Sequence, residues 1–308
     1  YYLNLYPFIS SLRVPFPSWR ESLKWVPIMR MLGEGVMLTR QQKLTLVPWA
    51  FVGIWSTGFI GAKYAVPYME PFSVLFLRML LTLLVFAALL FWRKPKWCSV
   101  NQAGHQMVVG FLVHACYLGG VFVAIDWALP AGITSLIMGI QPLLTALIGW
   151  LWISERLHKI QWCGLLLGFM GVLLVVSQNG AQNTDVAGWD AWMAAIIALC
   201  AISIGTLYQK RFGGGVDLMV GAFYQYLVTA VVMALLAWQF DSGEVIWSWP
   251  LFGAVLWMVL ALSVTAILLF LVMIREGEAS KVVSYFYLVP PLTALEAWLL
   301  FDETLNIY

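Results

Sequence analysis

Residues 138–157, "MGIQPLLTALIGWLWISERL", and residues 286–305, "FYLVPPLTALEAWLLFDETL", agree at nine of twenty positions when laid together at an offset of 148. The matched letters include Pro142 with Pro290, Thr145 with Thr293, Trp150 with Trp298 and Glu155 with Glu303. An internal repeat has to be settled before any other reading, because it decides the architecture. What it means depends on the solvent around it.

Of the 308 residues, 62% are hydrophobic and 10% are charged. A soluble domain carries about a quarter charged residues, so this chain could not cover its surface with polar groups in water. It reads as an all-α integral membrane protein. The net charge of +2 says little by itself. Cys98, Cys116, Cys163 and Cys200 lie far apart, without metal-ligand spacing, and read as inert thiols. Residues 1–44 hold Arg13, Arg20, Lys24, Arg30, Arg40 and Lys43 but no apolar run long enough for a signal peptide or a span. They read as a cytoplasmic segment, or as a spurious extension ahead of a start near Met37.

A membrane helix needs about 20 mostly apolar residues. Nine stretches qualify: roughly 46–66, 71–92, 104–128, 131–153, 160–178, 189–208, 218–240, 250–274 and 281–301. They are continuous apolar runs, not the alternation of a barrel strand. With the N-terminus inside, 15 of the 17 basic residues fall on the inner side or in the N-terminal segment. The outer connections at 67–70, 178–190 and 241–249 hold none. This is a strong positive-inside bias, and one missed helix would scramble it.

The repeated motif sits in the fourth and ninth stretches, so the repeating unit is five helices. Five is odd, and the second copy therefore enters the membrane inverted. The expected fold is a ten-helix bundle of two inverted five-helix repeats, nine helices being present. The first repeat covers 45–180 and the second 189–308, with a tenth span of about twenty residues expected beyond it. Inverted repeats related by an axis in the membrane plane are typical of secondary transporters, although some channels share them.

Several motifs resemble the EamA-type transporters of the drug/metabolite transporter superfamily. They are "WSTGFIGAKYAVP" at 55–67, "PFSVLFLRMLL" at 71–81, the "ISERL" that ends the fourth span, and "GEASKVVSYFYLVPPLTALEAWLLFDETL" at 277–305. The likeness runs from about residue 44 to the end. It implies a ten-helix carrier of the bacterial inner membrane, usually an exporter of amino acids, metabolites or toxic compounds. The motifs are specific for the family and not for a substrate.

Proline inside a helix removes an N–H and crowds the carbonyl four residues earlier. Pro142 is therefore expected to free the carbonyl of Met138, and Pro290 and Pro291 those of Phe286 and Tyr287. Interruptions at corresponding places in two halves point to a transporter's site. Tyr285 and Tyr287 beside the second break are candidate lining residues, as is Trp55. Arg78 lies about 10 Å into span two and Glu296 about 8 Å into span nine, measured from the same face. A buried cation and a buried carboxylate each cost less when paired, so the two are expected to face one polar cavity. Glu296 is also the candidate carrier of a coupling proton. Its repeat mate is Ile148, so this carboxylate belongs to one half alone.

His114 reads as a hydrogen-bonded packing histidine, and Lys63 as a residue whose head reaches the interface. Gly53, Thr57 and Gly61, like Gly164 and Gly168, recur every four positions, a spacing that serves close helix packing or a homodimer face. The expected partners are the lipid bilayer, a small-molecule solute and protons, with no nucleic acid. No phosphate-binding glycine loop appears, and no cofactor or metal is expected. A passive channel or a membrane scaffold remains an alternative. A membrane-embedded enzyme would need a nucleophile and base that the chain does not supply.

Overall fold

The computed structural model describes residues 40–152, 187–276 and 284–301, together with 159–160, 162–164, 166–167, 169–171 and Val282. The N-terminal segment 1–39, the "ISERL" turn and residues 302–308 lie outside the described residues. Nine helical passages appear among those described. They are α1 (Arg40–Ala65), α2 (Pro71–Arg93), α3 (Val100–Asp126), α4 (Ala131–Trp152), α5 (Trp162–Gly171), α6 (Trp189–Phe212), α7 (Leu218–Phe240), α8 (Trp249–Arg275) and α9 (Tyr285–Phe301). Six of them, α2, α3, α4, α6, α7 and α8, are long and apolar enough to cross a membrane.

The helix ends follow local chemistry. The third helix starts at Val100, four residues before the apolar run. Ser99 accepts from the Gln102 N–H while the Gln102 side chain accepts from the Ser99 N–H, a capping box that extends the helix into polar sequence. Asp217 caps α7 through the N–H groups of Met219 and Val220. Ser248 caps α8 through the Leu251 N–H.

The repeated prolines break their helices at matching places. α4 runs as Ala131–Met138, turns through Gly139 and Ile140, and resumes over Gln141–Trp152. α9 begins as a 3₁₀ turn, Tyr285–Leu288, before Val289–Phe301. At the offset of 148, residues 139 and 140 fall on 287 and 288. A second pair of irregularities obeys the same offset: π-helical turns occupy Phe111–Cys116 in α3 and Met258–Ala266 in α8. π-turns inside helices tend to mark functional places.

The equivalent helices α2 and α7 lie side by side and run in opposite directions. Arg93 at the end of α2 meets Asp217 at the start of α7, and Asp241 just after α7 meets Ser73 in the first turn of α2. Their interiors match at an offset of 147. The Thr82 hydroxyl donates to the Arg78 carbonyl, and the Thr229 hydroxyl to that of Gln225. Elsewhere the repeats exchange partners, with α9 packed on α1 and α4 on α6. The fold is thus two inverted, interlocked helical repeats.

One end of the bundle carries Glu70, Asp126 and Asp241, and is called the acidic face below. The other carries Arg93, Lys94, Lys210, Arg211 and Arg275, and is called the basic face. Large apolar side chains such as Leu84, Phe91, Trp238 and Trp249 stand exposed around the outside, as a lipid-facing surface with tryptophans near its borders requires.

Candidate functional site

An arginine within an apolar helix must find polar company or a cavity. Arg78, in the second turn of α2, is 4% exposed and points between α3 and α8. Its Nε donates to Ser263 Oγ at 2.8 Å, within the π-helical turn of α8. The neighbouring Tyr226 hydroxyl, from α7, donates to the Ser263 carbonyl at 2.8 Å. These contacts fix the guanidinium from one side.

The other side opens on a cavity of about 30 Å³, room for about two water molecules. Trp55, Gly58 and Phe59 of α1 form one wall. His114, Tyr117 and Phe122 of α3 form another, and Leu262 and Ile267 of α8 complete it. Trp55 and Tyr117 stack with planes 8° apart and centroids at 6.3 Å. Behind Trp55 lies an aromatic cluster of Phe51, Phe270 and Phe286 at centroid distances of 4.9 to 5.6 Å from it. Such clusters are rigid, because rings packed edge and face leave few alternative rotamers.

His114 leads from the cavity into a buried amide network. Its Nε2 lies 3.3 Å from Gln225 Oε1, and its ring stacks on Tyr226 at 4.6 Å. The Gln225 amide donates to Gln106 at 2.7 Å and to Gln209 at 3.4 Å, and Gln106 donates to the Gly213 carbonyl. The network is neutral and ends at the basic face.

Glu296 stands elsewhere. Its Oε1 accepts from Ser56 Oγ at 2.8 Å, and the adjacent Thr293 hydroxyl donates to the Ser56 carbonyl. Trp55 and Ser56 are neighbours on α1, but one helical step rotates them by about 100°. Trp55 looks into the Arg78 cavity while Ser56 looks toward α9. The structure therefore does not bring Arg78 and Glu296 to one cavity. Glu296 Oε2 is buried and has no hydrogen-bond partner among the described residues.

Of the residues singled out in the sequence, Trp55 and Arg78 line the cavity. Pro142 and Pro290 are buried within α4 and α9 and act through the backbone they break, while Pro291 is exposed. Tyr285 and Tyr287 are half-buried and are not among the lining residues; Phe286 between them is the ring that reaches the Trp55 cluster. Ser263 and His114 are the polar groups that sequence reasoning did not place here. Gln225 carried one signal, since at the offset of 147 that aligns α2 with α7 it is the repeat mate of Arg78.

At both faces the repeats are tied together. On the acidic face Ser73 N donates to Asp241 Oδ2 at 2.6 Å, and Ser242 N and Oγ donate to Glu70 Oε2 at 2.6 and 2.8 Å. Ile246 N donates to the Tyr68 carbonyl beside a bridge between Met69 and Val245. On the basic face Arg93 Nη1 lies 3.8 Å from Asp217 Oδ2 across the repeats, while within the second repeat Arg275 donates to the Val216 carbonyl and Lys210 to the Ile274 carbonyl at 3.0 Å.

Comparison with known proteins agrees with this geometry. A transporter of Bacillus subtilis strain 168, described as uncharacterized and named YvbV, is 25% identical over 82% of this chain and 82% of its own length. The uncharacterized inner membrane transporter YedA of Escherichia coli K12 is 26% identical over 82% of this chain and 81% of its own. A "probable amino-acid metabolite efflux pump" of Salmonella typhimurium strain LT2 is 28% identical over 61% of this chain and 56% of its own. A solved crystal structure superposes with a TM-score of 0.66 at 21% identity, covering 83% of this chain and 88% of that one, which supports the fold. The EamA-like transporter family matches residues 47–177 and 189–308. With both repeats matched and the inverted pair built, the chain belongs to the EamA-like transporter family, a family of membrane transporters and not of enzymes.

Proposed function

We propose that this transporter exports a small metabolite, such as an amino acid or a related compound, across the bacterial inner membrane by alternating access. The observation that carries the reading is the α2–α7 pair: equivalent helices, antiparallel, tied across the repeats at both faces, with the Arg78 cavity between the ties. Releasing one tie while keeping the other opens the cavity to one side, and inversion of the repeats makes the opposite movement available. The basic face is cytoplasmic, following the basic residues. On this reading each repeat, 45–180 and 189–308, moves as a unit. The name of the Salmonella relative favours export of an amino-acid metabolite.

Glu296 is the proposed proton carrier. Its buried Oε2, unpartnered among the described residues, is an acceptor that a proton would satisfy, and its Oε1 is already held by Ser56. A second copy has little call on the Gly53–Thr57–Gly61 stripe. Trp257 donates to Thr57 at 2.8 Å and Gly61 faces Met258, so α8 already covers most of it; a dimer would use Gly53, which faces open space.

The test is counterflow in proteoliposomes holding the full chain, with a panel of labelled amino acids and their metabolites. Accumulation of one labelled solute driven by its unlabelled form supports a carrier. Leakage without exchange would instead identify a channel and overturn the proposal. Within that assay Glu296→Gln is expected to keep solute exchange but to lose uptake driven by a pH gradient. An unchanged response to the gradient removes Glu296 from coupling.

A further inference from the structure

Among the described residues the charge of Arg78 has no counter-ion. Its Nε is taken by Ser263, and among the described residues neither Nη group has a protein acceptor. No carboxylate lines the cavity from α1, α2, α3 or α8. The titratable groups that face it are Arg78 itself, His114 and Tyr117, with Tyr226 behind. Glu296, the nearest candidate by sequence depth, is committed to Ser56 on another side of α1. A buried guanidinium is tolerated when something negative meets it, and the described residues supply nothing negative there.

The fork is also prepared for an anion. Nε is held on Ser263 and the Ser263 carbonyl in turn by Tyr226, which leaves the two Nη groups of this cavity-lining arginine without an acceptor among the described residues. That planar pair matches the two oxygens of a carboxylate. The walls around it are Trp55, Phe59, Phe122 and Leu262, which suit an apolar body. An ammonium group would find no carboxylate there.

We infer that the solute of this site is a monoanionic organic acid, its carboxylate docked on Arg78 and its apolar body against Trp55, Phe59 and Phe122. This deepens the carrier reading above and rests on it. In the present form the cavity, at about 30 Å³, is large enough for a head group and not for a body. The body occupies space that opens when one face is released.

Four probes with the same phenyl body separate the head groups: 3-phenylpropionate, 3-phenylpropanol, 3-phenylpropylamine and phenylalanine. Their affinities are measured by calorimetry on the full chain in lipid nanodiscs, with empty discs subtracted. The acid is expected to bind about ten- to a hundredfold more tightly than the alcohol or the amine, the range of charge-assisted hydrogen bonds. Phenylalanine is expected to fall between, because its ammonium meets no partner. Arg78→Gln should erase the preference for the acid over the alcohol, and Arg78→Lys should retain part of it. If Arg78→Gln does not fold, Ser263→Ala serves instead, since freeing Nε should weaken the acid about threefold or more and spare the alcohol. Equal binding of acid and alcohol, tighter binding of the amine, no binding of the acid, or a preference that survives Arg78→Gln would each overturn the inference.

Counterflow separates this from the carrier reading. Exchange of a neutral or cationic solute with none for the acid would sink the anion site and leave the carrier standing. Arg78-dependent binding of the acid with no exchange of any solute would do the reverse.

Discussion

At the acidic face the repeats are joined by carboxylates holding backbone N–H groups, whereas at the basic face they are joined by the pair of Arg93 with Asp217, the other cations there holding carbonyls within the second repeat. The two ties descend from one repeated position. Glu70 and Asp217, 147 residues apart, each precede the second helix of their repeat. Asp217 is short enough to cap its own helix, and it pairs with Arg93 as well. Glu70 makes no cap bond to its own helix; Asp241 from the other repeat caps α2 in its place, and Glu70 reaches across to Ser242 and Gly243. Glu70 is one methylene longer than Asp217, and the cap that Asp217 gives its own helix comes to α2 from the other repeat. The acidic tie rests on carboxylates, and the basic tie on Arg93 with Asp217.

The largest effect is expected in the packed middle between the two faces. A Cβ on Gly110 would lie 2.3 Å from the Gln225 carbonyl oxygen, backbone against backbone, where α3 crosses α7. Gly110→Ala must push the helices apart and is expected to cost about 3 kcal/mol or more. Size-exclusion profiles and thermal melts in detergent should show most of the folded protein lost. A melt within a degree or two of the parent would mean that the crossing yields.

A middling effect is expected at the basic tie. Asp217→Ala removes two cap bonds from α7, at about 1 kcal/mol. The Arg93 pair adds less, because at 3.8 Å and partly exposed it behaves as a surface pair. The measured loss should therefore be larger than for Arg93→Gln. If Arg93→Gln matched or exceeded it, the ion pair and not the cap would hold this face.

The smallest effect, and the sharpest, concerns pH at the acidic tie. Burial pushes the Asp241 carboxyl above its ordinary range, and the Glu70 charge adds to this against the pull of the Ser73 hydrogen bond. A carboxyl with a raised pKa in the closed tie binds its proton more tightly there than in water. Its stabilising share is therefore full below the ordinary aspartate value of about 3.9 and is lost as pH rises through the raised one. Acidification should tighten this face. Hydrogen exchange, corrected for intrinsic rates, should show greater protection of the Ser73 and Ser242 amides at about pH 5 than at about pH 7. Asp241→Asn keeps an acceptor for the Ser73 N–H and should hold the protected state at both values. Protection that falls with acid in the parent would reverse the assignment.

How deep each charge lies could be read from the chain, because helical rise converts residue count into distance along the membrane normal. Arg78 stood out as the charge in an apolar run, and its burial follows. Which side of its helix a residue occupies could not be read in the same way. Thr293 and Glu296, three residues apart, share one face of α9, but nothing along the chain says which neighbour that face will meet, so Glu296 could be placed by depth and not by partner. The same blindness hid Phe286 between two more conspicuous tyrosines. Ser263 and His114 acquired their roles from the turn of a π-helix and from a neighbour more than a hundred residues away.

The sequence by itself determined the membrane as solvent, the repeat and its inversion, and the matched breaks in α4 and α9. Each depends on composition, parity or a missing N–H, which act along one chain. Only the tertiary structure decided that α9 docks on α1 and α4 on α6, that Glu296 turns to Ser56, and that Arg78 is left facing an aromatic cavity without a counter-ion among the described residues. Those outcomes depend on how helices rotate about their axes when packed. In lipid, where every face is apolar, that rotation is set by contacts between distant segments.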